Sequence, residues 1–117
     1  MTDFDIPTML KAIEDFEKGD YTAAIPVLLL HSEAGSPKAQ RHLADAYHLG
    51  MGVERDGKKA AELYLKVGEQ NIREDGLSAV AYNNLATLYF TGGPGLEPNM
   101  EQGRKYLALA RELGFEM

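Results

Sequence analysis

The 117-residue chain has no cysteine. That absence removes a disulfide framework, a thiolate zinc site and a cysteine nucleophile together, and it fits a reducing compartment. Long apolar runs are also missing. The longest, Ala23 to Leu30, contains Pro26 and falls far short of the roughly 20 residues that span a bilayer. Met1-Thr2-Asp3-Phe4-Asp5 lacks the basic-then-apolar order of a signal peptide. No membrane association is expected, and the expected location is the cytoplasm. Positive charge is not in excess either. A formal net charge of −6 repels phosphate backbones, which argues against nucleic acid as a partner. Finally, no segment alternates apolar and polar residues over a strand's length, so the chain is expected to be all-α.

The acids are concentrated near the start. Residues 1–36 hold Asp3, Asp5, Glu14, Asp15, Glu17, Asp20 and Glu33 against only Lys11 and Lys18. Such a bias favours a basic protein surface as partner, or simply keeps a small domain soluble. With 44% hydrophobic residues, the chain can bury one modest core, so residues 1–117 are read as a single domain.

What the sequence does have is a repeat. Leu43, Ala44, Tyr47 and Gly50 return as Leu85, Ala86, Tyr89 and Gly92 at one offset of 42. Pro94 then shifts the register by one, and Gly52-Val53-Glu54 matches Gly95-Leu96-Glu97. Asp56 falls opposite Asn99 and Ala60 opposite Gly103. A fixed period of this length marks a helical solenoid.

Six helical segments follow from local signals. Asp5 can cap the first, with Pro7 in its opening turn; Gly19 stops it and Asp20 can cap the second. Pro26 predicts a kink in the second helix or a late start, because it removes a ladder bond. Ser36-Pro37 reads as cap and first residue of the third, Asp56 caps the fourth, and Asn71 suits a left-handed terminator. Ser78 is expected to cap the fifth and Asn99 the sixth, with Phe115 folded back over the last turn. The expected architecture is an α-α superhelix of about three antiparallel helix hairpins. Residues 1–35 form an N-terminal half-unit or cap, 36–71 repeat one, and 78–115 repeat two. Alanine and glycine at inward positions let helices approach, and the repeated tyrosines fill the gaps.

This arrangement resembles the Sel-one-like repeat family, relatives of the tetratricopeptide repeats. The family pattern runs Ala, Leu-Gly, Tyr, Gly-x-Gly-Val, Asp, then a second helix rich in Lys-Ala-Ala. Here the first unit supplies Ala39, Leu43, Ala44, Tyr47, Gly50, Gly52, Val53, Asp56, Lys59, Ala60 and Ala61. The second supplies Ala81, Leu85, Ala86, Tyr89, Gly92, Gly95, Leu96 and Asn99, with Gly103 and Arg104 replacing the alanine pair. Ala44 and Ala86 stand where the family has glycine. The resemblance implies adaptor or scaffold work through protein contacts, with no catalytic or ligand residues to transfer.

Candidate chemistry is sparse. His42 and His48 point about 120° apart on one helix and cannot chelate a metal together. Arg41, Asp45 and His48 could form an acid–base cluster or an exposed ion-pair network; the network is the preferred reading. Gly92-Gly93-Pro94-Gly95 lacks the lysine and preceding strand of a phosphate loop. No catalytic, metal or cofactor site is expected.

The remaining candidate is a surface. On the first helix of each hairpin, the side opposite the core carries Lys11 and Asp15, then Lys38, Arg41, Asp45 and His48, then Asn83, Thr87 and Phe90. These positions are expected to align as one concave partner-binding stripe, with an arginine and an aromatic supplying the residue types that dominate binding energy. The leading expectation is a non-enzymatic module binding a protein partner, with a basic surface favoured. A sharper version is a cytosolic inhibitor or immunity protein neutralising a basic toxin, and a small enzyme is the reading of another class. The chain is expected to be a monomer or a weak homodimer joined through its last helix.

Overall fold

Asp20, Ser36, Asp56 and Asn99 each precede a helix and solve the same problem for it. The side-chain oxygen of each accepts a backbone N–H three residues on, from Ala23, Ala39, Lys59 and Gln102 respectively. One otherwise orphaned donor per helix start is thereby satisfied. The computed structural model describes residues 6–114, so the expected roles of Asp5 and Phe115 lie outside the described residues. The elements are α1 (Ile6–Glu17), α2 (Tyr21–Glu33), α3 (Pro37–Leu49), α4 (Gly57–Glu69), a 3-10 turn at Glu74–Gly76, α5 (Leu77–Thr91) and α6 (Met100–Glu112). Among the described residues the only β-type pairing is an isolated bridge between Gly93 and Leu96. The fold is all-α.

Two local expectations change. The second helix begins at Tyr21 rather than late, and Pro26 lies within its span. The missing N–H costs one bond within a helix whose inner side is held by Ala24, Ile25 and Leu28, so packing outweighs the local defect. Ser78 does not cap α5, because the helix starts at Leu77 after Gly76 in a left-handed conformation. Instead the Ser78 hydroxyl is buried, accepts the Ile72 N–H at 2.7 Å and donates to the Val67 carbonyl at 2.7 Å. It ties the end of α4, the linker and α5 together. Asn71 does adopt the left-handed conformation (φ 53°) expected at the end of α4.

The two repeat turns are closed by matching backbone hydrogen bonds. Gly50 and Gly92 end their helices with φ of 73° and 72°, a conformation that L side chains rarely adopt. Asp56 N–H then reaches back to the Tyr47 carbonyl at 2.9 Å, and Asn99 N–H to the Tyr89 carbonyl at 2.7 Å. The residue added with Pro94 is absorbed inside the second turn. Gly93 and Leu96 exchange two 2.9 Å bonds around it, with Pro94 and left-handed Gly95 at the turn positions that suit them.

Stacked hairpins α1–α2, α3–α4 and α5–α6 form the molecule. α1 touches α3 and α3 touches α5, whereas α2, α4 and α6 stand apart from one another. The first helices therefore lie on the inner side of the curve. Two apolar clusters make the core. One joins α1, α2 and α3 around Met9, Phe16, Leu28 and Leu43. The other joins α3 to α6 around Tyr64, Val67, Leu85, Leu88 and Tyr106. Tyr47 and Tyr89 sit at matching depth but only half-buried; the buried rings are Tyr64 and Tyr106 from second helices and Phe16 and Tyr82 from first helices.

Candidate inner face and grooves

On the inner side of α3, Arg41, Asp45 and His48 project from one stripe of the helix. Arg41 Nε lies 3.4 Å from the Asp45 carboxylate. A fourth group arrives from α4. Tyr64 is fully buried along its ring, yet its hydroxyl donates to Asp45 Oδ1 and lies 3.4 Å from His48 Nδ1. The Asn84 side chain from α5 lies beside the same hydroxyl and favours its ionised form. One phenol thus connects three helices.

The electrostatics follow from that burial. Desolvation raises the Tyr64 hydroxyl above the ordinary phenol range, and the Asp45 charge and hydrogen bond push it further. His48 is lowered below the ordinary imidazole value by burial, against the pull of Asp45 and with help from Arg55. Arg55 also donates its Nε–H to the His48 carbonyl at 3.1 Å. The phenol is a weaker acid than usual, and the carboxylate is already engaged by Arg41 and Tyr64. The arrangement fixes side chains in place rather than priming one for proton transfer. Among the described residues no three His, Asp or Glu groups gather as a metal site, and no helix is long and apolar enough to cross a membrane.

The rest of the anticipated stripe is divided. Asn83 and Thr87, at the repeat-equivalent positions of Arg41 and Asp45, lie on neighbouring α5, where Thr87 donates to the Asn83 carbonyl at 3.2 Å. Lys38 is half-buried one turn before Arg41, and its carbonyl accepts from His42 Nδ1 at 2.8 Å. Lys11 and Asp15 pair with each other at 3.2 Å. They line a separate groove of about 430 Å³ with Pro7, Thr8, Ala12, Ala23 and Val27, on α1 and α2 alone. Phe90 turns toward α6: a Cβ built on Gly103 would stand 2.5 Å from its ring. It is a packing residue filling the space that glycine leaves.

Two further grooves were not anticipated. One of about 510 Å³ lies between α2 and α4, with Leu43 and Tyr47 in its floor and Leu29, Lys59, Glu62 and Lys66 on its walls. The other, about 380 Å³, lies between α4 and α6, with Leu85 and Tyr89 in its floor. The matched pairs Leu43/Leu85 and Tyr47/Tyr89 were the available signal. Read as core filling, they conceal that second helices standing apart leave the two tyrosines half-buried, while the leucines beneath them are buried.

The family model of the Sel1 repeat matches residues 37–72 and 79–115, the second and third hairpins. Among solved structures, the Sel1 repeat protein from Oxalobacter formigenes is 30% identical over 92% of this chain, with a TM-score of 0.75. A protective antigen of uropathogenic Escherichia coli displaying an SLR fold is 21% identical over 92%, with a TM-score of 0.76, and shares the fold. This chain spans 40% and 22% of those two proteins respectively. No curated protein matches it. With the two repeat turns, the capped second helices and the family match all falling on the same residues, the chain belongs to the Sel1 repeat family.

Proposed function

We propose that the chain is an adaptor that binds a protein partner along the inner face of α3 and α5, through Arg41, Asp45, His48, Asn83 and Thr87. Sel1 repeats are generally protein-interaction modules and typically lack enzymatic activity. The observation that carries the reading is the Tyr64 hydroxyl, which anchors Asp45 and contacts His48 and Asn84. Side chains held before contact lose less conformational entropy on binding. The acidic excess of residues 1–36 supports a basic partner, and with it the narrower reading of an inhibitor of a basic toxin.

The test begins with affinity capture from native lysate, followed by titration calorimetry with the identified partner. Arg41→Ala and Asn83→Ala should each weaken binding by at least about 1 kcal/mol. The melting temperature should barely move, because partly exposed ion pairs contribute little to stability. Unaltered binding by both variants would transfer the site to the grooves between second helices. Undiminished activity of a captured basic enzyme in the presence of the chain would refute the inhibitor reading.

A further inference from the structure

Hydrogen-bond valence fixes the polarity of the inner face. A phenol carries a single hydroxyl proton. Tyr64 donates it to Asp45 Oδ1, so the same oxygen can only accept from His48 Nδ1, 3.4 Å away. Nδ1 therefore holds the hydrogen of the neutral imidazole, and Nε2 is left with a bare lone pair. The edge-on packing of the two rings, at an interplanar angle of 89°, keeps the imidazole in that orientation. Among the described residues Nε2 has no hydrogen-bond partner, and it is not one of the side-chain atoms sealed from solvent.

Arg41 has the opposite character. Its buried Nε lies 3.4 Å from Asp45 Oδ2, so both carboxylate oxygens are engaged from within the molecule. The two terminal nitrogens of the guanidinium have no partner among the described residues and remain donors. Arg41 and His48 stand seven residues apart on one stripe of α3, about 10 Å along the axis at the helical rise. The stripe thus offers a donor at one end and an acceptor at the other.

The surrounding charges say which group suits the acceptor. His48 faces Asp45 on its own helix and Arg55 from the following turn, with the Tyr64 phenol from α4. The Arg55 Nε–H is already committed to the His48 carbonyl. α5 supplies no charged group, Glu17 of α1 lies against His42, and Glu33 of α2 lines the groove toward α4. With a net charge of −6 on the chain, a cationic donor is favoured over a neutral one.

We propose that a partner segment on the inner face directs a lysine ammonium to His48 Nε2 and a carboxylate to the outer nitrogens of Arg41, about 10 Å away. Tyr64 is the positioning residue that sets the imidazole. This assignment rests on the inner-face reading and gives it a chemical polarity.

Nitrogen–proton correlation of the full chain at about pH 8, above the ordinary histidine value, shows which ring nitrogen is protonated. His48 should carry its hydrogen on Nδ1, and Tyr64→Phe should lose that preference and show both forms. Three extended peptides of equal length serve as binding probes, carrying Lys-x-x-Glu, Lys-x-x-Lys or Glu-x-x-Glu, a spacing of about 10 Å in an extended chain. In chemical-shift titrations Lys-x-x-Glu should bind about fivefold or more tightly than the other two. His48→Phe should reduce it to the affinity of Glu-x-x-Glu. A proton on Nε2, an unchanged tautomer in Tyr64→Phe, equal affinity for the three peptides, or no shift at His48 and Arg41 with any of them would overturn the proposal. The inner-face reading is decided separately, by Arg41→Ala and Asn83→Ala with the captured partner, and it survives a proton found on Nε2.

Discussion

At the scale of single residues, His48 and Phe90 show how burial decides a side chain's role. His48 is held below its ordinary value of 6.5 chiefly by burial, so the folded state favours the neutral ring. Protonation then favours unfolding. The contribution of the neutral ring is complete above the unfolded value and is lost as pH falls from there toward the lower folded value. Between about pH 7 and pH 5, the wild-type melting temperature should drop further than that of His48→Gln; parallel curves would show that the site is not coupled to folding. Phe90 makes a different case. Gly103→Ala adds a methyl where the Phe90 ring stands, and overpacking of this kind costs about 1–3 kcal/mol. That outweighs the gain of about 1 kcal/mol from replacing a mid-helix glycine. In a Phe90→Ala background the clash disappears and the same substitution should become stabilising. A double-mutant cycle by denaturant titration reads the reversal, and an unchanged sign would place the ring elsewhere.

At the scale of elements, the sequence was most informative where chemistry is local. Asp20, Ser36, Asp56 and Asn99 serve as caps because each partner lies three residues ahead on the same chain. The same reasoning misplaced Ser78, whose partners at Val67 and Ile72 come from the preceding helix and linker. No spacing rule distinguishes a cap from a buried bridge when both use a hydroxyl near a helix start. The convergence of Asp45, His48 and Asn84 on the Tyr64 hydroxyl required the packing of three helices, which no local spacing encodes. The alignment of Lys11 and Asp15 with α3 was extrapolated beyond the two matched repeats, and the structure puts them in a groove with α2. Ser78→Ala tests the bridge. It strands a buried N–H and removes a donor from a buried carbonyl, so a loss of about 1–3 kcal/mol is expected from the shift in denaturant midpoint. A loss no larger than that of an exposed serine would mean that solvent replaces both bonds.

At the scale of the whole molecule, the question is whether three hairpins unfold as one. The two apolar clusters share no fully buried residue; Tyr47 and Leu63 are the side chains packed against both. In a solenoid, stability is the sum of unit and interface contributions, and units separate when an interface weakens. Leu63 sits on α4, facing both α2 across the groove and the interior of its own hairpin. Leu63→Ala should therefore cost about 2 kcal/mol, near the lower end for leucine truncation because the site is half-open. Its larger effect should be on coupling. Amide hydrogen exchange in α1 and α2 should accelerate more than exchange in α5 and α6, because the N-terminal cluster loses one of its two bridges while the C-terminal cluster keeps its stacked Tyr82, Tyr106 and Tyr89 rings, 5.9 and 5.8 Å apart by centroid. Leu65→Ala, on the same helix and packed only against the C-terminal cluster, provides the comparison and should not favour α1 and α2. Uniform acceleration in Leu63→Ala would show that the backbone stack, rather than the two shared side chains, makes the repeats cooperative.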